Sequence, residues 1–123
     1  MKSTKPILVV DDDPDIRDSI ASALEIEGYS VLMAENGRVA LDLLLSLKEG
    51  ELPRCIMLDL MMPVMTGEEF LRAIDLDHKQ LQIIPVVVAS ANGSLLQSNL
   101  LAKEVLKKPI DINDLYRIAE QYN

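Results

Sequence analysis

Residues 7–14 read Ile-Leu-Val-Val-Asp-Asp-Asp-Pro, so a four-residue apolar run ends at a group of carboxylates. Three later apolar runs also end at polar residues, which are Asp59, Ser90 and the pair Lys107-Lys108. Short continuous apolar runs are typical of parallel strands that are buried on both faces. Because the carboxyl ends of parallel strands meet at one edge of a sheet, and ligands bind there, we expect these polar side chains to converge. The sequence therefore predicts a reactive site at that edge.

Helical patterns separate the apolar runs. Side chains that can cap a helix precede three of these patterns, namely Asp13, Asn36 and Asp111. Another helix is expected after a loop that ends at Gly67, and a short one over residues 92–102, before a strand over residues 104–107. Alternating strands and helices, joined by right-handed crossovers, predict an α/β fold, a three-layer α/β/α sandwich around a five-stranded parallel sheet.

The size and charge of the chain limit the classes of function. With 123 residues, it is expected to form a single domain over residues 1–123. Its net charge of -8 disfavours direct binding to nucleic acid, whereas clustered aspartates suit a divalent cation. The polar first residues do not resemble a signal peptide, and no apolar stretch is long enough to span a bilayer. A cytoplasmic protein without membrane contact is therefore expected.

The single cysteine and the single histidine suggest no chemistry of their own. Cys55 lies within an apolar run, where a small buried hydrophobe is expected rather than a redox group. His78 lies in a polar stretch that is expected to form a helix end and a loop. Without a second histidine or a nearby cysteine, it is a poor metal ligand.

The polar residues at the strand ends favour phosphoryl chemistry. Three carboxylates, from Asp11, Asp12 and Asp59, repel one another unless a cation is bound, and a site made of oxygen ligands suits Mg²⁺. Asp59 stands alone at its strand end and can attack phosphorus to form an acyl phosphate. Lys108 can supply a positive charge and Ser90 a hydrogen bond. Because no strong general base remains, slow hydrolysis is expected, which is typical of a switch rather than of a metabolic enzyme.

At these residues the chain resembles the receiver domain of bacterial two-component response regulators, of the single-domain chemotaxis type. Residues 7–14 are similar to the first strand and acidic pair of that family, and residues 58–67 to its phosphoacceptor loop. Lys108-Pro109 is similar to its lysine-proline turn, in which the peptide bond is usually cis. The resemblance extends from Lys5 to Tyr122 and implies the flavodoxin-like strand order 2-1-3-4-5.

The resemblance also implies roles for individual residues. Asp59 would accept a phosphoryl group from a phosphohistidine of a sensor histidine kinase or a histidine phosphotransfer protein, and phosphorylation would switch binding to an unknown output protein. Asp12, Asp59 and the backbone carbonyl of Met61 would hold Mg²⁺, with Asp11 acting largely through water. Met61 and Asn92 occupy positions that tune dephosphorylation in the family.

Several features depart from the family pattern. Thr66 stands where Asp or Asn is usual, which alters capping of the next helix. Val105 replaces an aromatic residue that often moves inward on phosphorylation. The interval from Ser90 to Lys108 is about one helical turn shorter than usual, so the helix within it is expected to be truncated. No DNA-binding or enzymatic output domain is expected after the receiver.

Two alternative functions are compatible with parts of the pattern. One is a Mg²⁺-dependent aspartyl-phosphate phosphohydrolase of the haloacid dehalogenase type, but those enzymes carry a second Asp two residues after the nucleophile, where this chain has Met61. The other is a structural receiver that is not phosphorylated, which is disfavoured because no core site residue is missing. The acidic turn over residues 11–13 could also be a simple helix cap, although Asp59, Ser90 and Lys108 argue against that interpretation.

Overall fold

The computed structural model describes residues 5–60, 64–90 and 102–122, and these residues form an α/β structure. Five parallel strands make one sheet in the order β2-β1-β3-β4-β5, as expected from the resemblance. The strands are β1 (Ile7–Val10), β2 (Val31–Ala34), β3 (Cys55–Asp59), β4 (Val86–Ser90) and β5 (Ala102–Lys107). In this register Val10 lies opposite both Ala34 and Leu58, so the carboxyl ends of the strands are aligned at one edge.

Four α-helices lie within the described residues. They are α1 (Pro14–Ile26), α2 (Gly37–Ser46), α3 (Gly67–Asp77) and α4 (Ile112–Gln121), and short 3-10 turns cover Glu49–Glu51 and Lys79–Ile83. The three predicted caps are confirmed. The side chain of Asp13 accepts from two backbone N–H groups of α1, Asn36 accepts from one in α2, and Asp111 accepts from one in α4.

The alternation of side chains along the central strands divides the core between the two faces of the sheet. On one face, residues such as Leu8 and Leu58 pack with α2 and α3. On the other face, residues such as Ile7 and Met57 pack with α1 and α4. This arrangement confirms the three-layer sandwich, because a strand that is apolar at every position must be covered on both faces.

Two local expectations were wrong. Gly67 is the first residue of α3 and not part of the preceding loop, because Thr66 caps the helix and forms a reciprocal capping box with Glu69. β5 begins at Ala102 rather than at residue 104, since its pairing with β4 starts opposite Val86. Ala102, the last residue of the short helix expected over residues 92–102, therefore lies in a strand. The other residues of that expected helix lie outside the described part of the chain.

The helices of the described residues are short. The longest, α1, has 13 residues, and none is both long and apolar enough to cross a bilayer.

Candidate functional site

Three carboxylates meet at the carboxyl edge of the sheet. One oxygen from each of Asp11, Asp12 and Asp59 lies within 4.8 Å of the other two. Asp11 and Asp59 are buried, with exposures of 4% and 6%, whereas Asp12 is exposed to solvent. The cluster forms because β1 and β3 are neighbours in register, which brings the residues that follow their last apolar positions to the same edge. The predicted convergence of these three side chains is confirmed.

Hydrogen bonds hold Asp11 in a defined orientation. Its Oδ1 accepts from the backbone N–H of Asp13 at 2.9 Å, and its Oδ2 lies 3.4 Å from Nζ of Lys108. Its backbone carbonyl accepts from Nη1 of Arg17 at 2.8 Å. The first acidic residue is therefore fixed from both its side chain and its main chain.

Lys108 brings its ammonium group into the acidic cluster. Nζ lies 3.0 Å from Oδ1 of Asp59, closer than its distance to Asp11, and the side chain is 22% exposed. Burial disfavours the charged ammonium, but the hydrogen bond to Asp59 and the attraction of both buried carboxylates outweigh it, so the pKa of Lys108 is raised above its ordinary value. Lys108 is therefore a stable cation within the cluster, whereas the neighbouring Lys107 is exposed.

The backbone around Lys108 joins β5 to the strand that carries Ser90. The N–H of Lys108 donates to the carbonyl of Ser90 at 2.9 Å, and the Lys108-Pro109 peptide bond is cis, as the resemblance implied. Ser90 is buried at the end of β4, one residue beyond the position paired with Asp59. The structure therefore places Ser90 and Lys108 beside Asp59 at the same edge of the sheet.

The segment after Asp59 is packed tightly against α3. The N–H of Gly67 donates to the carbonyl of Leu60 at 3.0 Å. A Cβ atom at Gly67 would lie 2.7 Å from the carbonyl oxygen of Asp59, so no other residue fits there without movement of the backbone. Met61 and Asn92, for which the resemblance implied roles, lie outside the described residues.

The sequence interpretation missed one residue that contacts the site. Arg17 was not identified, although it lies only six residues after Asp11, on the first turns of the helix that follows the acidic run. Its position one helical turn after Asp13 was the available signal, because the side chain of a residue on the first turns of a helix can reach back to the preceding loop. Cys55, by contrast, is fully buried, and burial raises the pKa of its thiol to about 12, in agreement with the expected inert residue.

The donor set fits a small, hard cation. All side-chain donors of the cluster are carboxylate oxygens, and oxygen ligands with few protein groups and room for water are the preferred environment of Mg²⁺. Three carboxylates face one ammonium group, so the site keeps an excess of negative charge that a divalent cation would neutralise. The exposed position of Asp12 leaves the cluster open to solvent on one side.

Comparison with known proteins identifies the family. The family model of the response regulator receiver domain matches residues 7–120. The chain belongs to this family. It is 41% identical over 111 residues to response regulator RR06 of Streptococcus pneumoniae, a match that covers 86% of this chain and 47% of RR06. The chain spans about half the length of the curated response regulators that it matches.

Solved structures of receiver proteins have the same fold. The chemotaxis response regulator CheY4 of Vibrio cholerae is 27% identical, with a TM-score of 0.82 and coverage of 98% of this chain and 100% of CheY4. The response regulator TrrA of Thermotoga maritima, solved in complex with Mg²⁺-BeF, is 30% identical, with a TM-score of 0.78 and coverage of 97% and 99%. The chain is thus a receiver domain of two-component signal transduction, and the phosphohydrolase alternative is not favoured.

Proposed function

We propose that Asp59 is the phosphoryl acceptor of this receiver domain. The observation that carries the proposal is the position of its carboxylate, which is buried at the end of β3, close to the acidic pair that follows β1 and 3.0 Å from the ammonium group of Lys108. A carboxylate held in this way is positioned before the donor arrives, so little reorganisation is needed for attack on phosphorus. The other residues of the site lie at the carboxyl ends of three further strands, β1, β4 and β5.

Asp11, Asp12 and Asp59, together with the backbone carbonyl of Met61, are the residues that would hold Mg²⁺. When bound, the ion would neutralise phosphoryl oxygens and favour the reactive orientation of the phosphoryl group. The related TrrA was solved in complex with Mg²⁺-BeF, which supports a Mg²⁺ site in this chain. Both carboxylate oxygens of Asp11 already have partners, Oδ1 in the Asp13 N–H and Oδ2 in Lys108, whereas Asp12 is exposed. Asp12 is therefore the residue of the acidic pair better placed to ligate the ion directly.

The transfer reaction uses the remaining residues as follows. An oxygen of Asp59 forms a bond to phosphorus while the bond from phosphorus to the donor histidine nitrogen breaks, and that nitrogen keeps the electron pair. Lys108 stabilises the added negative charge, and Ser90 donates a hydrogen bond to a phosphoryl oxygen. His78, the single histidine of the chain, caps the far end of α3 and is not placed to act as a base at Asp59. We therefore expect a chain that catalyses only its own phosphorylation and slow dephosphorylation.

The donor would be a phosphohistidine of a sensor histidine kinase or of a histidine phosphotransfer protein. Phosphorylation would change the affinity for an output protein, in a single receiver domain over residues 1–123 that acts in the cytoplasm. The resemblance and the family membership support this assignment, because receiver domains of response regulators take phosphoryl groups from histidine kinases.

Intact-mass spectrometry tests the proposal. The wild-type chain, incubated with acetyl phosphate and Mg²⁺, should gain one phosphoryl group, and Asp59→Asn should gain none. Asp18→Asn is the matched control, because it removes an exposed carboxylate of α1 with the same change in charge and should behave as the wild type. An equal gain of mass by Asp59→Asn would refute the assignment of the acceptor. Release of inorganic phosphate at a rate far above the slow dephosphorylation expected of a switch would instead support the phosphohydrolase alternative.

A further inference from the structure

Arg17 connects the first helix to the turn that carries the acidic pair. Its side chain is partly buried, and Nη1 donates to the backbone carbonyl of Asp11 at 2.8 Å. Its own backbone N–H donates to the carbonyl of Asp13 at 2.9 Å. A single residue of α1 thus contacts the main chain on both sides of Asp12.

The other hydrogen bonds of this turn do not determine the orientation of the Asp11-Asp12 peptide plane. The side chain of Asp13 caps α1, and the side chain of Asp11 accepts from the N–H of Asp13. The carbonyl oxygen of Asp11 and the nitrogen of Asp12 belong to one rigid planar group. The hydrogen bond from Arg17 to that carbonyl therefore restrains the plane from which the Asp12 side chain departs.

We propose that Arg17 is a positioning residue for the metal ligand Asp12. By holding the Asp11-Asp12 peptide, it keeps the exposed carboxylate of Asp12 within 4.8 Å of the buried carboxylates of Asp11 and Asp59. Asp12 then faces the cluster before the ion binds, and less conformational freedom is lost on binding. This inference rests on the proposed function, because the ligand that Asp12 would bind is Mg²⁺.

The positive charge of Arg17 and its positioning of Asp12 would have opposite effects on the affinity for Mg²⁺. A guanidinium group that is bound to the backbone of the acidic turn repels a divalent cation at the cluster. An arginine that acted only through its charge would therefore weaken Mg²⁺ binding, and its removal would strengthen it. An arginine that positions Asp12 would have the reverse effect, because its removal would let the ligand leave the cluster. The sign of the change in Mg²⁺ affinity therefore distinguishes the two roles.

The test is a calorimetric Mg²⁺ titration of Arg17→Met, compared with the wild type and with Arg38→Met. Arg38 is exposed and pairs with Asp42 on α2, so its replacement matches the change in net charge away from the site. We expect Arg17→Met to bind Mg²⁺ roughly tenfold more weakly than the wild type, as is typical when a residue that orients a metal ligand is removed. Arg38→Met should bind as the wild type does, and Arg17→Lys should recover part of the affinity because its ammonium group can also donate to a carbonyl.

Thermal unfolding in EDTA separates positioning from a general loss of stability. A lower melting temperature of Arg17→Met with unchanged Mg²⁺ affinity would overturn the inference, as would tighter binding. If Arg17→Met does not fold, Arg17→Gln replaces it in the test and should bind Mg²⁺ more weakly than the wild type. Equal or tighter Mg²⁺ binding by Arg17→Gln would overturn the inference. Failure of the wild type itself to bind Mg²⁺ would refute the metal site of the proposed function, which is a distinguishable result.

Discussion

Replacing Asp12 with asparagine should make the metal-free protein more stable. The change removes one of three carboxylates whose oxygens lie within 4.8 Å of one another, while it keeps the size of the side chain and its ability to accept hydrogen bonds. In the absence of a cation, repulsion between Asp59 and the acidic pair opposes folding, because the unfolded chain separates Asp59 from Asp11 and Asp12. Asp12 is the best member to replace, since it is the exposed one and has less tertiary packing to lose.

The distance between the carboxylate oxygens sets the size of the expected stabilisation. Two unit charges 4.8 Å apart repel by about 1 kcal/mol at the dielectric constant of water, which is the appropriate limit for an exposed group. Only the repulsion between Asp12 and Asp59 is lost on unfolding, because Asp11 and Asp12 are adjacent in both states. The positive charges of Lys108 and Arg17 offset part of it, so about 1 kcal/mol is the upper limit of the expected gain. For a chain of 123 residues, this upper limit corresponds to a rise of about 4 °C in the melting temperature.

The assay is thermal unfolding in EDTA and again at saturating Mg²⁺. In EDTA, Asp12→Asn should melt above the wild type, and with Mg²⁺ the difference should shrink or reverse because the variant has lost a ligand. Asp18→Asn removes an exposed carboxylate of α1 that is not part of the cluster, and it should leave both melting temperatures nearly unchanged. A lower melting temperature of Asp12→Asn in EDTA would refute the argument from crowded carboxylates.

Further substitutions test other contacts of the structure. Lys108→Met should destabilise the metal-free chain by about 3 kcal/mol in urea unfolding, because it leaves two buried carboxylates without their cation. Because the pKa of Lys108 is raised in the folded state, Lys108 stabilises the fold fully below its ordinary pKa of 10.5, and this stabilisation is lost as the pH rises through the folded pKa. The unfolding free energy of Lys108→Met should therefore lack this decrease at alkaline pH. Gly67→Ala should cost about 2 kcal/mol, because the new Cβ would meet the Asp59 carbonyl, whereas Gly50→Ala, with open space around it, should change the unfolding free energy little. Because Cys55 is buried and its pKa is raised to about 12, it should resist iodoacetamide at pH 8 in the native protein and react only after unfolding. Mass spectrometry measures the alkylation, and rapid alkylation of the native protein would contradict the burial of Cys55.

The sequence by itself determined the class of fold, because the signals for its elements are local. Short uninterrupted apolar runs are typical of strands covered on both faces, and a side chain such as Asp13 or Asn36 satisfies N–H groups within its own helix. The convergence of Asp11, Asp12 and Asp59 also followed from the sequence, since parallel strands place their carboxyl ends at one edge. The strand order depended on the family resemblance, as neither periodicity nor capping specifies which strands pair.

Only the tertiary structure decided the contacts between residues that are distant along the chain. The ion pairs of Lys108 with Asp59 and Asp11 depend on the register of four strands and on the turn after β5, which no local pattern encodes. The hydrogen bond from Arg17 to the Asp11 carbonyl depends on the angle at which α1 leaves the sheet, because a long side chain reaches a chosen acceptor only when packing fixes its origin. Residue types thus specified which groups reach the site, and packing across the sheet specified which of them touch.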